Sequence, residues 1–421
     1  MFLVNTSIYR IQYRGILMRD ITFRKEDRSS GNDLADILNR YLPDYRKSYG
    51  LSPEQHKIVR SIKACRTARM GGHLNACNHC DYREISYNSC GNRHCNKCQA
   101  NRRYEWIGRQ LGDVFPIPYY HLVFTLPHEL NAISLCNKRL IYDLFFRCAA
   151  ATLKSFGQNK KYLGAEIGFI SILHTWGQSL CYHVHLHMIV TGGGLCVDSN
   201  TWKRLPYKKD FIFPVKALSK KFRGKFLHHL KRAYQENKLA FPGELEYLSE
   251  CQNFEHFIDS LYRKAFYSYA KKPFAGPRAM VKYLGNYTHK VAISNSRILN
   301  IENHEVSFGY KDYRDGHKQK IMTLSASNFI RRFLYHSLPA GFRKIRCYGI
   351  LYKGSNQAFE RARALLIGED HHDVELACKL PIACPECKHG FLKMLYRLSA
   401  LQLQVVRLRQ ERQLEIAFDS S

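Results

Sequence analysis

One short run constrains this chain more than any other: Tyr182-His183-Val184-His185-Leu186-His187-Met188-Ile189-Val190. Strict alternation marks a half-buried β-strand. His183, His185, His187 and Ile189 share one face, and Val184, Leu186, Met188 and Val190 share the other, which reads as core. Residues two apart on a strand face lie roughly 6.5–7 Å apart, at about 3.3 Å of rise per residue. Two imidazoles at that spacing can lean onto one metal ion, the commonest role of clustered histidines. The competing reading is an ordinary strand with three solvent-facing histidines, a pattern rare by chance. Imidazole donors suit zinc, copper, iron, nickel or manganese, so the donor type leaves the metal open. Thr191-Gly192-Gly193-Gly194 then predicts that the strand ends in a flexible loop.

Cysteine spacing supplies the second strong signal. Cys77-x-x-Cys80 is followed, after fourteen residues, by Cys95-x-x-Cys98. Two such knuckles predict one four-thiolate zinc site. Cys90, His73, His79 and His94 are near enough in sequence to replace a thiolate. Much later, Cys384-Pro385-Glu386-Cys387 is half of a second zinc site, with Cys378, His371, His372 or His389 as candidates to complete it. The N-terminal Met1-Phe2-Leu3-Val4-Asn5 has too brief an apolar start for a signal peptide. A reducing compartment, the cytoplasm, is therefore expected, and the 15 cysteines read as thiols or metal ligands.

Charge points to the partner. Lys and Arg number 65 against 35 acids, a net charge of +30 spread along the chain. Such a field favours a polyanion, and nucleic acid leads. A membrane lacks support, because no apolar run approaches the roughly 20 residues of a spanning helix. With 421 residues and 45% hydrophobic content, two or three domains with a sizeable core are expected. Arg83, Arg93, Lys97, Arg102 and Arg103 give the cysteine module basic edges, the usual dress of a nucleic-acid grip.

Elsewhere the pattern predicts a helix from Leu34 to about Tyr41 stopped by Pro43, and a second begun by Ser52-Pro53. Strands are expected at Tyr120–Leu126, Glu166–Thr175, Val291–Ser294 and Glu305–Tyr310, with long helices at Glu129–Phe156 and Phe254–Ala270. The link from Thr175 to Tyr182 is too short for a helical crossover, so its flanking strands should be antiparallel neighbours. Asp315-Gly316 marks a hairpin turn, and Ser325 caps a following helix. Pro277 opens a helix carrying Tyr283 and Tyr287, four apart and so on one face. On spacing alone, these two read as packing tyrosines.

The order of knuckles, histidine strand and paired tyrosines resembles the two-tyrosine HUH rolling-circle transposases of bacterial insertion sequences. The resemblance spans about residues 35 to 350. It rests on Tyr87-Asn88-Ser89-Cys90 with Asn92-Arg93-His94-Cys95, Val123-Phe124-Thr125-Leu126-Pro127, and His185-Leu186-His187 with Thr191-Gly192-Gly193-Gly194. Tyr283-Leu284-Gly285-Asn286-Tyr287-Thr288-His289 and Asp312-Tyr313-Arg314-Asp315 complete it. Val184 stands where the family often has proline, as does Asn96 after the third knuckle cysteine, which should cost rigidity rather than ligation.

The resemblance implies an α+β fold, with a central antiparallel sheet flanked by helices, the histidine strand in its middle, the tyrosine helix beside it, and a small N-terminal zinc-binding module. Expected divisions are 30–112 (helical, zinc- and DNA-binding), 113–345 (HUH catalytic) and 346–421 (a basic C-terminal region). It implies structural zinc on Cys77, Cys80, Cys95 and Cys98, and catalytic Mg or Mn on His185 and His187. Gln178 is the expected third ligand, with His183 its rival. Tyr283 and Tyr287 become nucleophiles that nick single-stranded DNA through a 5′-phosphotyrosine. Arg93, Arg102, Arg103 and Lys282 are candidate DNA contacts. No nucleotide triphosphate is expected, since the triple glycine is not followed by Gly-Lys-Ser/Thr. The setting implied is the bacterial cytoplasm, at the nucleoid. The rival readings are a replication initiator or relaxase of the same chemistry, and a non-catalytic zinc-dependent DNA-binding protein.

Overall fold

A computed structural model describes residues 21–23, 32–99, 106–107, 114–196, 198–205, 212–264, 266, 268–271, 274, 276–288, 291–313, 315–352, 354, 356–367 and 381–408. The N-terminal part holds strand β1 (Ile21–Phe23), helices α1 (Leu34–Ser48) and α2 (Pro53–Ala64), and the hairpin of β2 (Gly72–Cys77) and β3 (Arg83–Tyr87). Both helices open on capping boxes, Asp33 with Asp36 and Ser52 with Gln55, each satisfying two otherwise orphaned amides. Helix α1 does not stop before Pro43 but runs through it. Pro43 is exposed, while Leu42 and Tyr45 are buried, and their packing outweighs the one hydrogen bond a proline cannot make.

The central part follows: β4 (Tyr119–Thr125), α3 (Asn131–Cys136), α4 (Lys138–Gln158), β5 (Glu166–Trp176), β6 (Tyr182–Cys196), β7 (Thr201–Arg204), α5 (Val215–Gln235), α6 (Cys251–Tyr262), β8 (Ser268–Lys271) and α7 (Pro277–Thr288). The helix expected from Glu129 breaks at Asn137, whose side-chain amide donates to Ile133 and Ala240 carbonyls and accepts from the Ala240 amide. The helix expected to reach Ala270 ends at Tyr262, and Ser268–Lys271 instead pairs with β4 at the sheet edge. Beyond α7 come β9 (Ile298–Glu302), β10 (Glu305–Asp312), β11 (Lys318–Ser325), α8 (Ala326–Tyr335), β12 (Ile345–Tyr348), α9 (Asn356–Ile367) and β13 (Leu392–Leu398). Ser325 caps α8 as expected, and β10 and β11 form the expected hairpin. Val291–Ser294, expected as a strand, is irregular.

The main sheet has the order β12-β5-β6-β4-β8, with β7 paired to the far end of β6, and every pairing is antiparallel. The histidine strand is thus central, in an α+β fold. Val184, Leu186, Met188 and Val190 pack into one core with Phe145, Phe146, Phe222 and Phe226 from α4 and α5. On the opposite face Ile170, Ile172 and Ile189 pack against Met280, Val281 and Leu284 of α7. A second sheet has the order β1-β3-β2-β13. A third sheet joins β11, β10 and β9 in that order. The segment expected as a basic C-terminal region contributes strands to two of the three sheets, β12 to the main one and β13 to the second. Among the described residues, no helix is long and apolar enough to cross a membrane.

Strand β6 does not end at the triple glycine. It continues to Cys196, because neighbouring backbones close in on it. A Cβ on Gly193 would lie 2.5 Å from the Lys203 carbonyl oxygen, and one on Gly194 would lie 2.6 Å from that of Glu166. Glycine here permits close strand approach rather than a loop. Gly193→Ala should therefore destabilise the fold by about 1–3 kcal/mol. A urea midpoint unchanged from the parent would show that these glycines serve loop freedom instead.

Candidate active site and metal centres

Antiparallel register builds the site. His174 of β5 lies directly opposite His185 of β6, so both side chains project from one face. His187 follows two residues along that face. One ring nitrogen from each of His174, His185 and His187 lies within 4.8 Å of the others, so the three form a candidate metal-binding group. His174 and His187 are buried and His185 is half-buried, which leaves one side open. The third imidazole comes from His174, not from either expected donor. Gln178 lies in the turn beyond β5, where its carbonyl accepts from the Arg297 guanidinium. His183 is exposed at the start of the strand and outside the group.

Hydrogen bonds fix which nitrogen faces a metal. His185 Nδ1 lies 2.8 Å from the His183 carbonyl oxygen. A carbonyl only accepts, so Nδ1 carries the proton and Nε2 keeps the lone pair. His183 thus contributes through its backbone. His187 Nδ1 lies 2.9 Å from His121 Nε2 on β4, with the rings stacked 5.2 Å apart. His121 Nδ1 in turn lies 3.4 Å from the Tyr283 hydroxyl. Tyr283 is half-buried on α7, its ring 5.1 Å from those of His121 and Phe274. A chain of side chains therefore links the histidine group to Tyr283. Sequence reasoning placed His121 and His174 in plain strands. Only the cross-strand register could have marked them.

Tyr287 lies one helical turn beyond Tyr283 on α7, and its side chain is outside the described residues. Lys282 is exposed on the same helix. Arg93 donates to the Phe342 carbonyl at 2.5 Å, tying the cysteine module to the segment before β12. Arg102 and Arg103 lie outside the described residues, as do Cys378, His371 and His372.

The knuckles separate. Cys95 and Cys98 group with Cys65, at the end of α2, and with Cys90. Cys77 and Cys80 group with Cys384 and Cys387. The single site expected from spacing is therefore corrected to two. The β2–β3 hairpin carries the first knuckle away from the second, and β13, paired to β2, brings the C-terminal knuckle to it. Four sulfurs around zinc at about 2.3 Å stand about 3.8 Å apart along each tetrahedral edge, against about 2.05 Å in a disulfide. The sulfur separations are 3.4 Å for Cys65–Cys98, 3.6 Å for Cys90–Cys98, and 3.7 Å for both Cys77–Cys387 and Cys80–Cys384. Both clusters fit a zinc ion. The Gly390 amide, aimed at Cys387 from 3.3 Å, draws that thiol down to about 6. His94 joins neither cluster; burial pushes it down to about 3, and it accepts from the Leu338 amide.

Residues 37–126 match the family model described as "Transposase zinc-binding domain", and residues 168–358 match the one described as "Putative transposase". The chain is 46% identical over 323 residues to "Putative transposase y4qJ" of Sinorhizobium fredii (strain NBRC 101917 / NGR234), covering 76% of this chain and 81% of that one. It is 30% identical over 305 residues to the "Transposase for insertion sequence element IS801" of Pseudomonas savastanoi pv. phaseolicola, covering 72% and 71%. A metal-bound conjugative relaxase, TrwC, solved with oriT DNA, aligns to 45% of this chain and 81% of its own at 12% identity, with a TM-score of only 0.24. The family models and the relatives define a transposase. The chain belongs to the two-tyrosine HUH rolling-circle transposase family of bacterial insertion sequences, with an N-terminal transposase zinc-binding domain.

His336 buttresses the turn between the two histidine-bearing strands. Its Nδ1 lies 3.3 Å from the Thr175 hydroxyl and its Nε2 3.2 Å from the Leu180 carbonyl. Burial pushes it from 6.5 down to about 3, so the folded chain holds it neutral. The unfolded chain takes up that proton below about pH 6.5, so stability should fall as pH drops from 6.5 toward 3. Urea unfolding at pH 7 and pH 4.5 should show the loss, and His336→Gln should flatten the slope. An equal slope in the variant would assign the acid sensitivity elsewhere.

Proposed function

We propose that this transposase nicks single-stranded DNA by tyrosine attack and then transfers the strand. The supporting observation is the side-chain chain from the histidine group through His121 to the Tyr283 hydroxyl, 3.4 Å from His121 Nδ1. An ordinary tyrosine, with a pKa near 10, is a poor nucleophile at neutral pH. A divalent cation on His174, His185 and His187 would supply charge neutralisation at the scissile phosphate. The chain's own residues do the rest. For His187 to offer Nε2, its Nδ1 must donate to His121 Nε2, leaving His121 Nδ1–H to donate toward Tyr283 and favour its phenolate. Tyr283 or Tyr287 then gives up its hydroxyl proton to solvent and forms a bond to phosphorus, the bond from phosphorus to the 3′ oxygen breaks, and that oxygen takes a proton from solvent. The products are a 5′-phosphotyrosine and a free 3′-OH. The linkage keeps the phosphodiester energy, so strand transfer by a second 3′-OH needs no nucleotide triphosphate. An all-nitrogen donor set favours Mn over Mg.

Substrate would enter between β6 and α7, with Lys282 and the basic knuckle module, including Arg93, Arg102 and Arg103, as phosphate contacts. Exposed Tyr269 beside the sheet edge offers a stacking surface suited to unpaired bases. This chemistry would act at the nucleoid. A relaxase or replication initiator would cleave in the same way, and strand transfer between donor and target separates those readings from transposition.

The test mixes the chain with labelled single strands from the ends of its own element, with Mn or Mg, and reads covalent adducts on a denaturing gel. An adduct that needs metal and is lost only in Tyr283→Phe/Tyr287→Phe is expected. Tight DNA binding without any adduct would leave a zinc-dependent binding protein. His187→Ala or His174→Ala should lower the adduct rate by about 100-fold or more. His121→Ala should cost about 10–100-fold, as a positioning residue, and should also weaken Mn binding measured directly by titration. Unchanged Mn affinity in His121→Ala would remove its link to His187.

A further inference from the structure

Cys384 and Cys387 lie outside both matched family segments, 37–126 and 168–358. We propose that Cys77, Cys80, Cys384 and Cys387 hold a zinc ion of their own, a clasp fastening the C-terminal segment to the β2–β3 hairpin. This inference stands apart from the nicking chemistry.

The two knuckles meet from opposite ends of the chain, 310 residues apart for Cys77–Cys387 and 304 for Cys80–Cys384. Each is wound for metal. The amides of His79 and Cys80 point at Cys77 Sγ from 3.3 and 3.5 Å, and the Gly390 amide points at Cys387 Sγ from 3.3 Å. Such bonds stabilise thiolates. Lys388 adopts a left-handed φ of 59°, turning the second knuckle back as its amide donates to the Cys384 carbonyl at 3.1 Å.

Approach of the knuckles is close enough to dictate a glycine. A Cβ on Gly390 would lie 2.4 Å from Cys77 Sγ and 2.7 Å from His79 Cβ. Polar bonds lock the same junction: the Asn78 amide donates to the Phe391 carbonyl at 3.1 Å, and the Phe391 amide donates to the Asn78 side chain at 2.7 Å. Leu392 then pairs with Cys77, starting the β13–β2 ladder.

This sheet needs a staple. Its buried apolar cluster, among the described residues, is Ile21, Leu74, Ile85, Leu398, Leu403 and Val406. Six side chains form a thin core for four strands. Small modules of this kind commonly rely on a metal for their folding energy. All four cysteines are free thiols, and the cross-knuckle sulfurs stand 3.7 Å apart, beyond a disulfide bond.

Zinc per chain tests the clasp, measured on the full chain in a His185→Ala/His187→Ala background, so that imidazoles do not contribute. Two zinc ions are expected. Cys77→Ser/Cys80→Ser and Cys384→Ser/Cys387→Ser should each leave one, and the quadruple variant should still leave one. A count unchanged in the C-terminal pair, or zero in the quadruple, would overturn the proposal. A second measurement needs no cysteine variant: limited chelation of the unaltered chain, with thiol labelling read by mass spectrometry. Cys77, Cys80, Cys384 and Cys387 should become reactive as one set. A set that mixes Cys77 with Cys95 would overturn the clasp, whatever the adduct assay shows.

Discussion

The antiparallel pairing of β5 with β6 is the constraint on which the rest depends. Its register places His174 opposite His185 and Ile172 opposite His187. One residue of slip in β6 would send His185 and His187 into the phenylalanine-rich core on the other face. Register is held by that core, by the turn at Gly177–Cys181, and by the backbones that crowd Gly193 and Gly194. A rigid central strand suits metal ligands, because ligand positions on an edge or loop would carry larger fluctuations. The helix bearing Tyr283 is seated by Met280, Val281 and Leu284 on that same sheet, so Tyr283 and the histidines share one frame.

Around this frame the chain is fastened by polar ties rather than by a continuous core. Arg93 reaches the Phe342 carbonyl, Asn96 bonds Asn295, and half-buried Lys138 donates to the Tyr335 and Ser337 carbonyls. The Lys97–Asp33 pair, 2.7 Å apart and largely buried, joins the second knuckle to the cap of α1. Asn96, which stands where the family often has proline, thus exchanges intrinsic rigidity for an external bond. The cluster of Cys65, Cys90, Cys95 and Cys98 borders the apolar core that also holds Ile58, Ile62, Phe329 and Phe333, so zinc-module geometry is coupled to α8 packing.

Local pattern was enough for much of this protein. Alternation around His185 determined a strand with a core face and a histidine face, and capping residues Ser52 and Ser325 determined helix starts. CxxC spacing determined that these cysteines bend into knuckles, and residue order determined the family. All of these are short-range properties, carried by neighbours within a few residues. Partnership across the chain was decided only by the tertiary structure. It joined Cys77 and Cys80 to cysteines some 300 residues away, recruited His174 in place of Gln178, and set His121 between His187 and Tyr283. It also carried α1 through Pro43 and β6 through three glycines, where packing outweighed local propensity. The reason is physical: sequence spacing limits how far two residues can be apart, but only strand register and core packing decide which of them meet.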